Sequence, residues 1–254
     1  VQGFSFIALA LYAWLDPDLQ RFQLFLRFWR PDWQAFMRVF RLGVPVGLTG
    51  LAESGLFIAT AMMMGWIGTV ELAAHGIAME ITALGFMVHL GLSNAATVRV
   101  GHAEGRGDVQ SMRDGAVAAT GLSAVIAMLM VAVLLIFPDV LIGLFLDQGK
   151  PEAAAILSFG VVLLAVAALF QLFDAMQVIA LGLLRGVQDT RAPMFIAAFS
   201  YWLIGVPCSY VLAFHAGFGG PGLWLGLVVG LVFAAALLMA RFWRGPWFGA
   251  ALKG

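Results

Sequence analysis

Charge is what this chain has least of: 11% of its 254 residues are Asp, Glu, Lys or Arg, while 62% are hydrophobic. Soluble domains carry about 25% charged residues, and a mean hydropathy of +0.97 excludes that class. Cysteine is nearly absent too. Cys208 stands alone, which rules out an internal disulfide and any cysteine-rich metal site. No GxxxxGK[ST] loop, HExxH, CxxC or GxSxG occurs, so the marks of ATPase, metalloprotease, redox and serine-hydrolase chemistry are missing. The four histidines are dispersed without ligand spacing. GHAEGRGD (101–108) is glycine-rich but lacks the strand–turn–helix setting of a dinucleotide site. No enzyme activity, no cofactor and no nucleic-acid partner are therefore expected.

The chain has instead a series of apolar runs long enough to cross a bilayer, which takes about 20 residues. Six spans are expected, at about 42–66, 72–98, 115–137, 153–184, 192–214 and 222–240. Short connections join them and carry turn breakers such as Gly65, Gly68, Pro138, Pro151 and Pro221. The expected fold class is an all-α membrane protein, a six-transmembrane-helix bundle filling 42–254 in contact with the lipid bilayer. Residues 1–15 are apolar but too short to span, and read as the end of a truncated transmembrane helix. With no initiator methionine and no basic n-region they do not read as a signal peptide. The chain is thus expected to be the C-terminal part of something larger. Segment 16–41 carries arginines and aromatics at helical spacing, as in an amphipathic inter-lobe linker at the membrane surface, broken at Pro31. In the last span Gly222, Gly226 and Gly230 repeat every four residues, which points to close packing within the bundle or, alternatively, to self-association.

Orientation follows from where the few cations fall. With alternating spans, Arg21, Arg27, Arg30, Arg38 and Arg41 share one side with Arg99, Arg106, Arg113, Arg185, Arg191, Arg241, Arg244 and Lys253. Only Lys150 falls on the other side. The positive-inside rule puts the 16–41 segment, the 98–114 and 184–191 loops and the C-terminus in the cytoplasm.

Against this background two acids stand out, Glu53 and Asp174, each deep inside an apolar run. An ionisable group at such depth costs at least about 2.5–3.5 kcal/mol on insertion scales. Glu53 lies 12 residues past Arg41 and Asp174 lies 11 residues before Arg185. Both are therefore about 16–18 Å from the flanking arginine of their helix, near the midplane where transporters bind substrate and coupling ions. Two readings are open: ion or proton coupling, or a pair of structural acids hydrogen-bonded inside a bundle. Gln171, Asp174 and Gln177 step along one helical face with Phe170 one turn before the acid. The two amides can help coordinate a cation through oxygen or can simply satisfy one another. Thr49 and Ser54 lie near Glu53, and Pro45 removes a backbone donor, as a hinge or as ordinary packing. Span 72–98 adds His89 at the level of the acids, Ser93 one turn later, Asn94, and Glu80 nearer the outer surface. Each has a site role or a bland one as a core histidine or an outward acid.

Several segments then carry a family likeness. GTVELAAHGIAMEITALGFMVHLGLSNAATVRVGHAEGRGD (68–108), FRLGVPVGLTGLAESGLF (40–57), FDAMQVIALGLLRGVQDTRAPM (173–194) and YWLIGVPCSYVL (201–212) resemble the second half of multidrug and toxic compound extrusion (MATE) transporters, in particular the NorM-type bacterial branch. The resemblance covers nearly the whole chain. It implies a twelve-helix fold of two six-helix lobes, of which this would be the C-terminal lobe, partnered by a missing N-terminal lobe. It also implies multidrug efflux from the bacterial inner (plasma) membrane, by antiport of small organic, often cationic, compounds against Na⁺ or H⁺. Glu53 matches the family's acid in the seventh span and Asp174 the acid in the tenth, both implicated in cation binding, so that Na⁺ or a proton would sit there. Phe170 stands where relatives can carry a tyrosine, and Glu80 where an uncharged polar residue is common. A lipid-linked saccharide flippase of the same superfamily is the alternative within this fold. It would place cations in the cavity, whereas all 14 Lys and Arg fall outside the expected spans. A non-transporting scaffold would have no need of buried acids at matched depth.

The charge count makes a direct prediction. In a Cys208→Ser background, a cysteine at Gln148 should react with a membrane-impermeant maleimide added to intact cells, and one at Gln188 should react only after permeabilisation. Equal labelling of both from outside would refute the six-span arrangement.

Overall fold

A chain starved of charge and crossing hydrocarbon has to satisfy its backbone within each segment, which leaves the helix as its economical solution. The computed structural model describes residues 2–16, 31–146, 149 and 151–248, and among these all regular structure is helical. Residues 17–30 of the expected linker, together with Gln148, Lys150 and Lys253, lie outside the described residues. The helices are α1 (Gln2–Leu15), α2 (Trp33–Ile67), α3 (Thr69–Gly105), α4 (Val109–Ile136), a short α5 (Pro138–Gly143), α6 (Ala153–Gly186), α7 (Arg191–His215) and α8 (Gly219–Trp243). Among the described residues six helices are long and apolar enough to cross a membrane: α2, α3, α4, α6, α7 and α8 with its following turn. The protein is a multi-pass membrane protein. By contacts it divides into two units, Val1–Gly43 and Val44–Gly254. The first contains α1 and the start of α2, and the second holds the rest of the bundle.

Several boundaries differ from those drawn on hydropathy alone. α2 starts at Trp33 rather than 42, because the Asp32 carboxylate accepts from the Gln34 and Ala35 N–H groups at 3.0 and 2.9 Å and caps it. α3 runs on to Gly105, where Gly107, at φ 68°, turns the chain. Asp108 then caps α4 by accepting from the Ser111 N–H at 2.9 Å, and the Ser111 hydroxyl also bonds it. These bonds hold the Asp108 carboxyl below its ordinary value. The 138–152 connection is not all loop, since Pro138 opens α5. Because the helices outrun the expected spans, several arginines sit in their end turns, and Arg185, in the last turn of α6, is half-buried.

α6 is the core helix. It packs against α3, α4, α5 and α8, and its second half is buried almost continuously from Gln177 to Leu184. Glycines let α3 approach it closely. A methyl group on Gly182 would overlap Ser93, and one on Gly186 would come within 2.9 Å of the Thr97 carbonyl oxygen. Side chains use the closeness: Ser93 Oγ donates to the Val178 carbonyl at 2.7 Å and Thr97 Oγ1 to the Gly182 carbonyl at 2.8 Å. α7 is irregular. Two π-helical stretches, Phe199–Gly205 and Val211–His215, flank the turn that contains Pro207. Proline has no N–H to give to the preceding turn, and the backbone absorbs the loss by widening, so that the Val206 N–H reaches back to the Tyr201 carbonyl.

The glycines of the last span lie against α7. A Cβ at Gly222 would meet the Leu212 carbonyl at 2.8 Å, one at Gly230 the Gly205 Cα at 2.9 Å, and one at Gly226 would overlap the Ser209 backbone. The obstacles are main chain and cannot swing aside. Gly226→Val should therefore cost at least the about 1–3 kcal/mol typical of overpacking, seen as a clear loss of monodisperse protein on size exclusion and a lowered melting temperature. Gly76→Ala, with nothing within 4 Å, should be neutral or mildly stabilising. Equal tolerance of both changes would contradict the α7–α8 contact.

Candidate functional site

The site is built on α6. Phe170, Gln171, Asp174 and Gln177 are all buried there, Asp174 at 2% exposure. α2 brings Glu53 to the same level, half-buried. The two helices meet through one polar contact, in which Gln177 Nε2 donates to Glu53 Oε1 at 3.2 Å. Local packing explains why α2 presents this residue. Trp202 of α7 covers Gly55, where a Cβ would come within 2.7 Å of its ring, and its indole N–H donates to the Ala52 carbonyl at 3.2 Å. Phe57, one turn on from Glu53, lies 6.0 Å from the Phe170 ring. Phe170 in turn stacks edge-on with Trp224 of α8 at 5.4 Å, and Trp224 donates to His75 Nδ1 of α3 at 3.1 Å. The aromatic chain from α2 through α6 and α8 to α3 fixes the rotation of each helix about its axis.

Asp174 opens into a pocket of about 200 Å³ lined by Phe57, Met79, Thr82, Ala83, Phe86 and Phe170. The Glu53 and Asp174 carboxyl groups lie within Coulombic reach of each other. No group of three or more His, Cys, Asp or Glu that could hold a metal occurs among the described residues. What the site offers is two carboxylates and oxygen from neutral side chains, a donor set suited to a hard monovalent cation or to protons and not to a transition metal. Gln177 Oε1 has no partner, so the amide that bonds Glu53 keeps its oxygen free.

The other expected residues distribute unevenly. Gln171 is buried on α6 but its amide nitrogen points elsewhere, toward Gly85 and Met130. His89 is fully buried, yet its Nδ1 is bonded to Ser123 of α4 at 2.9 Å. Ser93 is committed to the Val178 carbonyl. Glu80 and Asn94 are exposed on α3. Thr49, near Glu53, is taken up by the Pro45 carbonyl at 2.8 Å in its own helix. Two residues not singled out in the sequence join the acids instead. Tyr201 of α7 is fully buried with an unpartnered hydroxyl, within Coulombic reach of Glu53, Asp174 and Arg185. Arg185 reaches Glu53 electrostatically from the end of α6. Tyr201 begins the YWLIGVPCSYVL segment, and the proline six residues later was the one signal that its helix is irregular. Arg185 lies one residue past the expected span, in the last turn of a helix that continues to Gly186, and is half-buried there.

Comparison with known proteins agrees with this architecture. The MatE family model matches residues 45–211. A relative described as a probable multidrug resistance protein NorM from Rhizobium meliloti (strain 1021) is 48% identical over 92% of this chain and 50% of its own length. One of the same description from Agrobacterium fabrum is 45% identical over 95% of this chain and 52% of its own. The chain thus spans about half the length of the curated relatives it matches. Among solved structures, the eukaryotic MATE transporter AtDTX14 superposes with a TM-score of 0.85 at 20% identity, over 98% of this chain and 55% of that one. An outward-facing multidrug resistance MATE family transporter superposes at 0.78, with 23% identity over 90% and 50%. The matched region runs from Pro45 at the start of the bundle into α7 and so contains both acids; the chain belongs to the MatE family.

Proposed function

We propose that this chain is the second lobe of a cation-coupled antiporter that exports organic, often cationic, compounds across the bacterial inner membrane, with its C-terminus in the cytoplasm. The carrying observation is the Glu53–Gln177 contact beside buried Asp174. Two acids from different helices share one low-dielectric site, and such a pair needs a proton or a cation to neutralise it. The relatives named as multidrug resistance proteins support the export reading, and their doubled length supports a partner lobe. No enzymatic step is assigned.

The chain's own residues suggest how coupling would work. Glu53 and Asp174 take up Na⁺ or protons, with Gln177 Oε1 and the Tyr201 hydroxyl supplying neutral oxygen in place of the hydroxyl that Phe170 lacks. Loading changes the charge between α2 and α6, and so the preference of the lobe for one of two access states. An organic cation bound against the unloaded acids is then expelled by competition for the same negative field. A flippase for anionic lipids is not favoured, because no Lys or Arg lines the pocket beside Asp174.

Amide replacement separates coupling from structure, since it keeps size and hydrogen bonding but removes charge. Asp174→Asn should abolish ion-driven export in proteoliposomes, and Glu53→Gln should reduce it at least about tenfold, a barrier change of about 1.4 kcal/mol. Substrate binding should persist in both but no longer respond to Na⁺ or pH. A structural acid would lose little by the change, so normal coupled transport by Asp174→Asn protein would sink the mechanism.

A second expectation concerns the lobe alone. Transporter cavities form between lobes, so the 254-residue chain expressed by itself should confer no drug resistance. Resistance at wild-type levels from this chain alone would overturn the two-lobe reading.

A further inference from the structure

At the level of Glu53, α2 is held to the bundle from two sides. On the α6 side, Glu53 accepts from Gln177 Nε2 at 3.2 Å, and Phe57 meets the Phe170 ring at 6.0 Å. On the α7 side, the Trp202 indole donates to the Ala52 carbonyl at 3.2 Å. Its ring fills the space that a side chain at Gly55 would need, 2.7 Å from the Cβ position. Between these sides Leu56 is buried, its Cδ1 3.6 Å from the Cβ position of Gly205 at the end of the π-helical stretch of α7. At 3.6 residues per turn the Ala52–Gly55 edge stands about 130° around the helix from Glu53. α2 thus rests between α6 and α7, with Trp202 bearing on one edge and Glu53 projecting from the other.

The gripped carbonyl belongs to the peptide that joins Ala52 to Glu53, so the indole holds the main chain immediately before the acid. Ala52 and Gly55 have no side chain that could interlock, and resistance to rotation at this edge therefore comes from the indole. The Glu53 carboxylate has little slack. Its bond from Gln177, at 3.2 Å, is at the long end of the range for N–H···O. A helix is about 10–12 Å across with its side chains, so turning α2 by about 20° carries a side-chain tip about 2 Å, enough to break that bond. Trp202 also adjoins Tyr201, which is fully buried with its hydroxyl unpartnered. Consecutive residues of α7 thus bear on α2 and reach into the bundle. The clamp is made wholly within the lobe, whatever covers the outer face of the indole.

We propose that Trp202 is the positioning residue of the cation site: its clamp on the Ala52–Gly55 edge of α2 holds Glu53 against Gln177 and beside Asp174. Trp202 acts on Glu53 through the α2 main chain. Its role in coupling rests on the antiport reading, whereas the clamp can be measured without transport.

The test is infrared difference spectroscopy on the purified chain in lipid nanodiscs. Each protein is read against the same protein carrying Glu53→Gln, so that only the Glu53 carboxyl band remains. Gln177→Leu gives the position of that band when its hydrogen bond is absent. Trp202→Ala should move the band to that position, and Trp202→Phe, which keeps a ring but has no N–H, should move it part of the way. Gly55→Ala keeps the indole but drives it off α2, and should match Trp202→Ala. The two changes together should do no more than either alone, as groups acting through one contact are not additive. Phe214→Ala, at the ring contact with Trp66 between the same two helices, should leave the band in place. Each protein is compared at an unchanged size-exclusion profile; if Trp202→Ala does not meet that standard, Trp202→Phe and Gly55→Ala decide. A band unmoved in these variants would overturn the proposal, as would an equal move in Phe214→Ala. Normal transport by Asp174→Asn protein would sink the antiport reading and leave the clamp standing, so the two failures are distinguishable.

Discussion

The absence of water in a bilayer core is the constraint on which the rest of this structure depends. It forces the backbone into helices, and it makes each buried polar side chain an obligation that another side chain has to meet. Helix α6 shows how the obligations are met. Where it crosses α3, Gly182 and Gly186 bring the main chains together, and Ser93 and Thr97 hydroxyls close the gap to α6 carbonyls. These bonds are donated to carbonyls already engaged in a helix and leave no orphan group. They are structural. The polar groups left without partners are therefore conspicuous, and among the described residues they include Gln177 Oε1, the Tyr201 hydroxyl and Gln171 Nε2.

Two of those three converge on the acids. A lobe that needed Glu53 and Asp174 only for packing would be expected to pair them fully, since an unmet charge in this medium costs more than an apolar replacement. Here Glu53 has one amide contact at 3.2 Å, and spare oxygen stands nearby on Gln177 and Tyr201. Incomplete satisfaction is what a site for a mobile ion requires, because a fully bonded pair would have nothing to gain from loading. The same logic accounts for the widening of α7. The π-helical stretch Phe199–Gly205 carries Tyr201 inward in its first turn, at a place where regular helix geometry is already interrupted by Pro207.

How much of this was legible in the sequence depended on which physical signal was asked to carry it. Hydropathy suffices for the spans, because a bilayer tests length and composition alone, and the anomalous depth of Glu53 and Asp174 needs nothing more than counting from Arg41 and Arg185. Rotation about the helix axis was not legible. A soluble helix declares its buried face by an apolar stripe, but in this lobe lipid-facing and core-facing residues are both apolar. His89 was placed at the right level and proved to be bonded to Ser123 of α4, and Gln171 shares a stripe with Asp174 yet serves another cavity. Caps carry a signal that hydropathy does not: Asp32 and Asp108 lengthen α2 and define α4 beyond where hydropathy falls off. Tyr201 was missed because an aromatic in a membrane span is ordinary, and only its unpartnered hydroxyl marks it.

α3 ties these observations together. Thr82, Ala83 and Phe86 wall the Asp174 pocket, while Ile81, Leu84, Gly85 and Val88 wall a larger apolar cavity shared with α4, α5 and α6. The helix is thus a partition one helix diameter thick between an ion-sized polar site and a larger apolar one. A partition of that kind cannot shift toward one cavity without enlarging the other, because packed interiors have few voids to absorb the movement. Its fixed points lie in the C-terminal half, where Ser93, Thr97 and Gly101 are locked to α6. The N-terminal half, from His75 to Gly85, is held by the Trp224 hydrogen bond and by side-chain packing alone. Loading of the acids would therefore be felt first in the N-terminal half of α3, the part that borders both cavities.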